Sequence, residues 1–181
     1  NVQMLINLLL MRGNIGRPGA GICPVRGHSN VQGQRTVGIA EKTDLVPLDR
    51  LAAHYGFQPP RKDGMNTVEV CEAVIAGRVR AFLGLGGNFL RAVPERELME
   101  EAWAGMDLSV QIATKLNRTH LVPARTTFLL PTLVRSEIDA QATGPQIVTM
   151  EDSTTCIHAS RGKFRPASPD LLSEPRIVAG V

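Results

Sequence analysis

The alternation of helical and strand patterns in the middle of this 181-residue chain constrains its fold more than any other feature. Asn66 and Glu69 have the spacing of a capping box and predict the start of a helix. The predicted order is a helix, a strand, a second helix and two further strands, at 66–77, 79–85, 94–105, 108–113 and 126–130. Such alternation over short connections predicts an α/β fold, a parallel sheet with helices on both faces.

The flanking regions carry weaker signals. Residues 2–12 predict a buried apolar helix, and residues 48–55 predict a short one. The segment 132–181 is expected to be largely irregular, with a brief strand at 146–150. We take residues 1–181 as a single α/β domain. Because an apolar helical pattern begins directly after Asn1, we interpret the chain as a fragment of a larger protein.

Composition excludes several classes of protein. With 43% hydrophobic and 20% charged residues, wholesale disorder is excluded. The net charge of +3 is not concentrated in one segment, which argues against a nucleic-acid partner. The longest apolar run, at 4–11, is too short to span a membrane. Three scattered cysteines favour a reducing, cytoplasmic location, and no metal-ligating set is predicted.

The glycine-rich segment 13–44 is the first candidate functional region, a cofactor and active-site loop. It shows no hydrophobic periodicity, and irregular stretches of that length inside compact domains are generally functional or disordered. Arg26 can grip an anion with its guanidinium, and His28 can transfer protons near neutral pH. The amides of Asn30 and Gln32 suit the polar edge of a pterin or purine. The alternative is a solvated loop whose side chains bond within their own turns.

The carboxyl ends of the predicted parallel strands form the second candidate region, because ligands of such sheets bind there. The first strand ends in a glycine turn and the second in a polar segment, which together contain Gly86, Gly87, Asn88, Thr114, Lys115 and Asn117. Glycines let a ligand approach the backbone, although a tight turn with positive φ would also explain them. Position 89 is Phe89 rather than glycine, so a nicotinamide dinucleotide fingerprint is disfavoured.

The segment 13–33, GNIGRPGAGICPVRGHSNVQG, resembles the motif GNIG-x-PGAG-x-x-P-x-RG-x-NNVQG of molybdopterin oxidoreductase catalytic subunits. This family includes formate dehydrogenases and periplasmic nitrate reductases. His28 and Ser29 within the motif make it most similar to the formate-dehydrogenase-like alpha-subunit branch. Weaker similarities follow in the family's order, at 82–89, 109–115, 129–139, 148–153 and 161–175.

The resemblance implies a large enzyme with molybdenum or tungsten on two molybdopterin guanine dinucleotides, often with an iron–sulfur cluster in a preceding domain. This chain resembles the third domain, a three-layer Rossmann-like sheet that holds one dinucleotide. Arg26 and His28 would face the metal centre as catalytic residues, with Arg26 orienting a small anionic substrate. The cofactor-binding residues would be Asn30, Gln32, Gly86, Gly87, Asn88, Thr114, Lys115 and Asn117.

The resemblance also implies partners: the other domains of the parent chain and, in some members, an electron-transfer subunit. Because no thiolate in this segment matches a cluster or metal ligand of the family, we expect the fragment alone to retain no cofactor and to be inactive. Two other functions remain open. One is a stand-alone nucleotide-binding module of Rossmann-like fold, and the other is an interaction domain whose glycine-rich loop covers a partner.

Overall fold

The structure, a computed structural model, describes all residues from Asn1 to Val181. Its helices are α1 (Val2–Met11), α2 (Val31–Thr36), α3 (Leu48–Tyr55), α4 (Thr67–Ile75), α5 (Phe89–Ala92), α6 (Arg96–Ala104) and α7 (Glu174–Ala179). Short 3-10 helices lie at Thr43–Leu45 and Arg118–Leu121. The strands are β1 (Ala81–Leu85), β2 (Leu108–Ala113), β3 (Thr126–Pro131), β4 (Ala140–Gln141), β5 (Gly144–Pro145), β6 (Val148–Glu151) and β7 (Ile157–Ser160). None of the helices is long and apolar enough to cross a membrane.

The chain contains two compact units. Unit 1 comprises residues 1–39 and 149–159, and unit 2 comprises residues 40–148 and 160–181. Unit 2 contains a three-stranded parallel sheet in the order β1, β2, β3, and the other two sheets are two-stranded pairs. The mixed α/β class and the three predicted parallel strands are therefore confirmed.

The apolar core of unit 2 lies between its helices and one face of the sheet. Leu90, Met99 and Trp103 are fully buried, and the rings of Phe82 and Trp103 lie 4.8 Å apart. The helix α4 begins as the capping box predicted: Asn66 Oδ1 accepts hydrogen bonds from the backbone of the first turn, and the Glu69 carboxylate accepts one from the Asn66 backbone. Local capping and apolar burial thus position the strands.

The opposite face of the parallel sheet is less covered. Because side chains alternate along a strand, Leu83 and Phe128 point away from the face that carries Phe82. They are 54% and 53% exposed. The prediction of helices on both faces is therefore met on one face, while apolar side chains at the middle of β1 and β3 are half exposed on the other.

Unit 1 differs from its prediction in two ways. The helix α1 forms as expected, but the prediction that it is buried is wrong, because none of its residues is buried. The apolar pattern is sufficient to predict the helix, but no other part of the chain buries its apolar side chains. The segment 13–44 is not continuously irregular either, since α2 forms within it. The pattern of α2 is polar, so hydrophobic periodicity gave no signal for it.

The segment 132–181 contains more regular structure than expected. The brief strand predicted at 146–150 is present as β6, one to two residues later. Three further short strands and α7 were not predicted. The start of α7 carried a readable signal, since Pro175 lies in its first turn after Ser173.

Candidate functional site

Polar residues of the glycine-rich segment meet at a carboxylate in unit 1. Arg26 Nη1 donates to Gln32 Oε1 at 2.5 Å, and Gln32 Nε2 donates to Glu151 Oε1 at 2.9 Å. The hydroxyl of Thr36 donates to the other carboxylate oxygen of Glu151 at 2.5 Å. The structure therefore brings two predicted site residues, Arg26 and Gln32, into one chain of hydrogen bonds.

Asn30, at the start of α2, binds the backbone of Glu151 in β6. Its Oδ1 accepts a hydrogen bond from the backbone N–H of Glu151 at 2.9 Å. A Cβ at Gly33 would lie only 2.0 Å from that Oδ1, so a larger residue there would displace the Asn30 carboxamide from this contact. In this structure Asn30 performs a structural task, and its role toward a cofactor stays a prediction.

The charge of Glu151 is stabilised by its neighbours. The hydrogen bonds from Thr36 and Gln32 lower the pKa of its carboxyl, and the positive charge of Arg26 acts in the same direction. Glu151 is therefore a carboxylate near neutral pH, able to accept hydrogen bonds and unable to donate them. It was not selected as a site residue from the sequence. Its partner Gln32 lies 119 residues away, so no local spacing links the two.

The remaining catalytic candidate of unit 1 lies outside this network. His28 is exposed and takes part in none of these contacts, so its imidazole remains accessible. The strand β7 carries another histidine that was not selected from the sequence: His158 Nε2 lies 2.7 Å from Oδ2 of Asp152, which lies in the turn between β6 and β7. That contact, followed by hydrogen bonds from Thr154, holds the pKa of Asp152 well below its usual range.

In unit 2, the two predicted strand-end groups lie together. Asn117 Nδ2 donates to the carbonyl of Gly87 at 2.7 Å, which joins the end of β1 to the segment after β2. Asn117 Oδ1 accepts from the Thr119 backbone, and Asn88 Oδ1 lies 3.3 Å from Thr119 Oγ1. Asn117 and Gly87 therefore lie together at the carboxyl ends of β1 and β2, and the role of these residues toward a cofactor stays a prediction.

The glycine turn also has the geometry of the alternative interpretation, a tight turn that needs positive φ. Gly86 and Gly87 have φ values of +67° and +74°, which side chains rarely adopt. Nothing lies within 4 Å of the position that a Cβ on Gly87 would occupy, so the backbone there is open to approach. Thr114 and Lys115 are exposed just beyond β2. The backbone of this turn thus requires glycine, and the same turn still leaves room for a ligand.

A concave surface follows β3 in the same unit. It encloses about 390 Å³ and is lined by apolar side chains such as Leu133 and Ile138 together with Arg165 and Arg176. Neither arginine forms an ion pair with a carboxylate of the chain. The surface therefore adds two accessible positive charges to unit 2.

The chain is similar in sequence to segments of longer known proteins. No family model matches the chain. It is 55% identical to Protein YdeP of Escherichia coli over all 181 residues, which cover 24% of that protein. It is 48% identical over 172 residues to an uncharacterized oxidoreductase of Mycobacterium tuberculosis, covering 95% of this chain and 22% of that protein.

A more distant relative is a putative formate dehydrogenase of Bacillus subtilis, 29% identical over 121 residues, or 62% of this chain and 12% of that protein. The chain spans about a quarter of the length of the curated relatives that it matches over its whole length. The names of these relatives support an oxidoreductase family for this chain.

Proposed function

We propose that this chain is the cofactor-binding part of a formate-dehydrogenase-like molybdopterin oxidoreductase. In this proposal its Rossmann-like α/β unit holds one molybdopterin guanine dinucleotide, and Arg26 faces the pocket of a small anionic substrate. The proposal includes a cytoplasmic location, the rest of the parent chain as partner, and an electron-transfer subunit. The observation that carries it is the hydrogen bond from Asn117 to Gly87, which unites the two predicted cofactor-binding groups at one edge of the sheet.

The chemistry of the strand-end residues fits a guanine dinucleotide. A pyrophosphate needs hydrogen-bond donors and positive charge, and the open backbone at Gly87 and the ammonium of Lys115 provide both. A guanine edge needs donors and acceptors together, and the exposed hydroxyl of Thr114 offers both. When bound, the cofactor would supply the metal centre at which two electrons pass to or from the substrate.

The residues of unit 1 fit the handling of an anionic substrate. One guanidinium nitrogen of Arg26 is engaged by Gln32, which leaves further N–H groups to form a two-point contact with a carboxylate or oxyanion. Arg26 would bind and orient the substrate. The accessible imidazole of His28, two residues on, would hold or accept a proton of the substrate.

Analysis of the intact protein tests this function. We expect about one molybdenum or tungsten atom per protein by elemental analysis, and guanine nucleotide in the acid hydrolysate by chromatography. A preparation with neither metal nor guanine would contradict the proposal. A preparation without metal that binds a free mononucleotide through the glycine turn would instead favour the stand-alone nucleotide-binding module.

A further inference from the structure

We infer that Glu151 is a positioning residue, which sets the orientation of the Gln32 carboxamide and through it the place of the Arg26 guanidinium. The importance of Arg26 for substrate rests on the proposed function. The positional relation among the three side chains rests on the hydrogen bonds of unit 1.

The two hydrogen bonds of Gln32 have opposite directions. Its amide nitrogen donates to Glu151, and its amide oxygen accepts from Arg26. A carboxylate can only accept, and a guanidinium can only donate. A reversed carboxamide would place two acceptors against each other at one end and two donors against each other at the other end. Gln32 therefore has one favourable orientation, enforced from both sides.

Glu151 is itself held at three points. Its backbone N–H donates to Asn30, one carboxylate oxygen accepts from Gln32, and the other accepts from Thr36. The carboxylate is consequently fixed relative to α2, and a fixed acceptor transmits its position to the group that it binds. These contacts join residues that are 115 to 121 positions apart in the sequence. Through them β6 fixes the position of the glycine-rich segment.

The intervening amide has a further consequence for charge. A direct ion pair between Arg26 and Glu151 would occupy the guanidinium fork and offset its charge at close range. Gln32 separates the two charges while it links them by hydrogen bonds. Arg26 is thereby held in place with donors left for a small anion.

The test measures the accessibility of Arg26 in the intact protein, as its rate of modification by phenylglyoxal followed by peptide mass spectrometry. A glutamine at position 151 could face either end of the Gln32 amide and would no longer enforce its orientation, so the hydrogen bond to Arg26 would be made only part of the time. We therefore expect Glu151→Gln to raise this rate about two- to tenfold, at most the factor that corresponds to one ordinary hydrogen bond. Gln32→Ala should raise the rate by a similar factor. Once Gln32 is replaced, adding Glu151→Gln should have no further effect, because the route to Arg26 is already broken.

A matched control is Thr36→Val, which removes one of the three contacts of Glu151 and leaves the hydrogen bond between Gln32 and Glu151 in place. We expect it to lower the melting temperature and to raise the modification rate of Arg26 clearly less than Glu151→Gln does. If Thr36→Val raises that rate as much as Glu151→Gln, or if the effects of Glu151→Gln and Gln32→Ala multiply, Glu151 has only a structural role and the inference is overturned.

Two further results keep this inference separate from the proposed function. Should Glu151→Gln fail to fold, Gln32→Ala decides alone, since an unchanged Arg26 rate there contradicts the inference. A protein without metal and guanine that still shows the coupled pattern would refute the proposed function and retain the positioning role. A cofactor-loaded protein without the coupling would do the reverse.

Discussion

The two units hold their candidate residues by different means. In unit 2 the strand-end residues lie next to a core of fully buried side chains, including Leu90, Met99 and Trp103. In unit 1 the single buried residue is Gly33, and Arg26 is placed by side-chain hydrogen bonds. Apolar burial distributes the positioning of a site over many contacts, whereas a polar chain concentrates it in a few. Substitutions should therefore act on the two groups in different ways.

The largest expected effect comes from a substitution in the apolar core of unit 2. Trp103→Ala removes the largest fully buried side chain of unit 2 and should lower the free energy of unfolding by about 3–5 kcal/mol. Urea denaturation of the purified chain, followed by circular dichroism, measures it. Leu98→Ala on the same helix is the control, because Leu98 is 51% exposed and its loss should cost far less. If both variants lowered the free energy of unfolding equally, burial of Trp103 would not be what stabilises unit 2.

The next effect concerns the polar chain of unit 1 and is catalytic. Arg26→Lys keeps the positive charge and loses the planar fork, so it should lower kcat/KM of the intact enzyme by roughly one to three orders of magnitude. Its cofactor content should stay unchanged, because Arg26 is not among the proposed cofactor-binding residues and the dinucleotide would be gripped mainly at 86–88 and 114–117. A fully active Arg26→Lys enzyme, measured by steady-state kinetics, would remove Arg26 from the substrate pocket.

The complementary change in unit 2 should give the opposite pattern. Asn88→Leu removes the amide that lies beside Thr119 at the end of β1. We expect the guanine content per protein to fall about two- to tenfold, the factor of one lost hydrogen bond, before any change in the kcat of the remaining loaded enzyme. Chromatography of released guanine nucleotide measures this. If Asn88→Leu retains its cofactor while Arg26→Lys loses it, the two assignments are reversed.

The same contrast explains how much the sequence could predict. The strands of unit 2 followed from apolar runs and the alternation of helices and strands, and the location of Asn117 and Gly87 at strand carboxyl ends followed with them. These signals lie within a few residues of the structure that they specify. Fold class and strand-end grouping were therefore readable from one sequence.

The structure of unit 1 was less readable because its determinants are distant or unspecific. Nothing near Gln32 indicates that its amide bonds Glu151, since a single glutamine or glutamate has many equivalent partners. The helix α2 has no apolar stripe, and its anchor Asn30 bonds a strand far along the chain. The apolar pattern of α1 predicted a helix correctly but says nothing about which surface would cover it.

The smallest expected effect is on pH dependence, and it compares a carboxylate from each unit. Asp152 in unit 1 accepts hydrogen bonds from His158, Thr154 and the Cys156 backbone, and these hold its pKa below the usual value. In unit 2 the Glu100 carboxylate bonds Arg118 and also has a lowered pKa. A depressed carboxyl pKa stabilises the folded state above the unfolded value near pH 4, and this contribution is lost as the pH falls through the lower folded value.

The consequence of acid should nevertheless differ between the units. The turn between β6 and β7 has no apolar core beneath it, and its opened form takes up a proton on Asp152 near the ordinary carboxyl pKa, whereas the folded form does so only at lower pH. Protection of the Cys156 amide should therefore begin to decline below about pH 4 and be reduced at pH 3. Near Glu100, the buried Met99 and Trp103 keep α6 in place, and an exposed ion pair adds little to stability. Hydrogen exchange at pH 3 and pH 6, corrected for intrinsic rates, measures both. Asp152→Asn should remove the pH dependence of the turn, while Glu100→Gln should leave the protection of α6 nearly unchanged at either pH. Acid-induced exchange in α6 as large as in the turn would show that polar contacts, and not burial, hold both units.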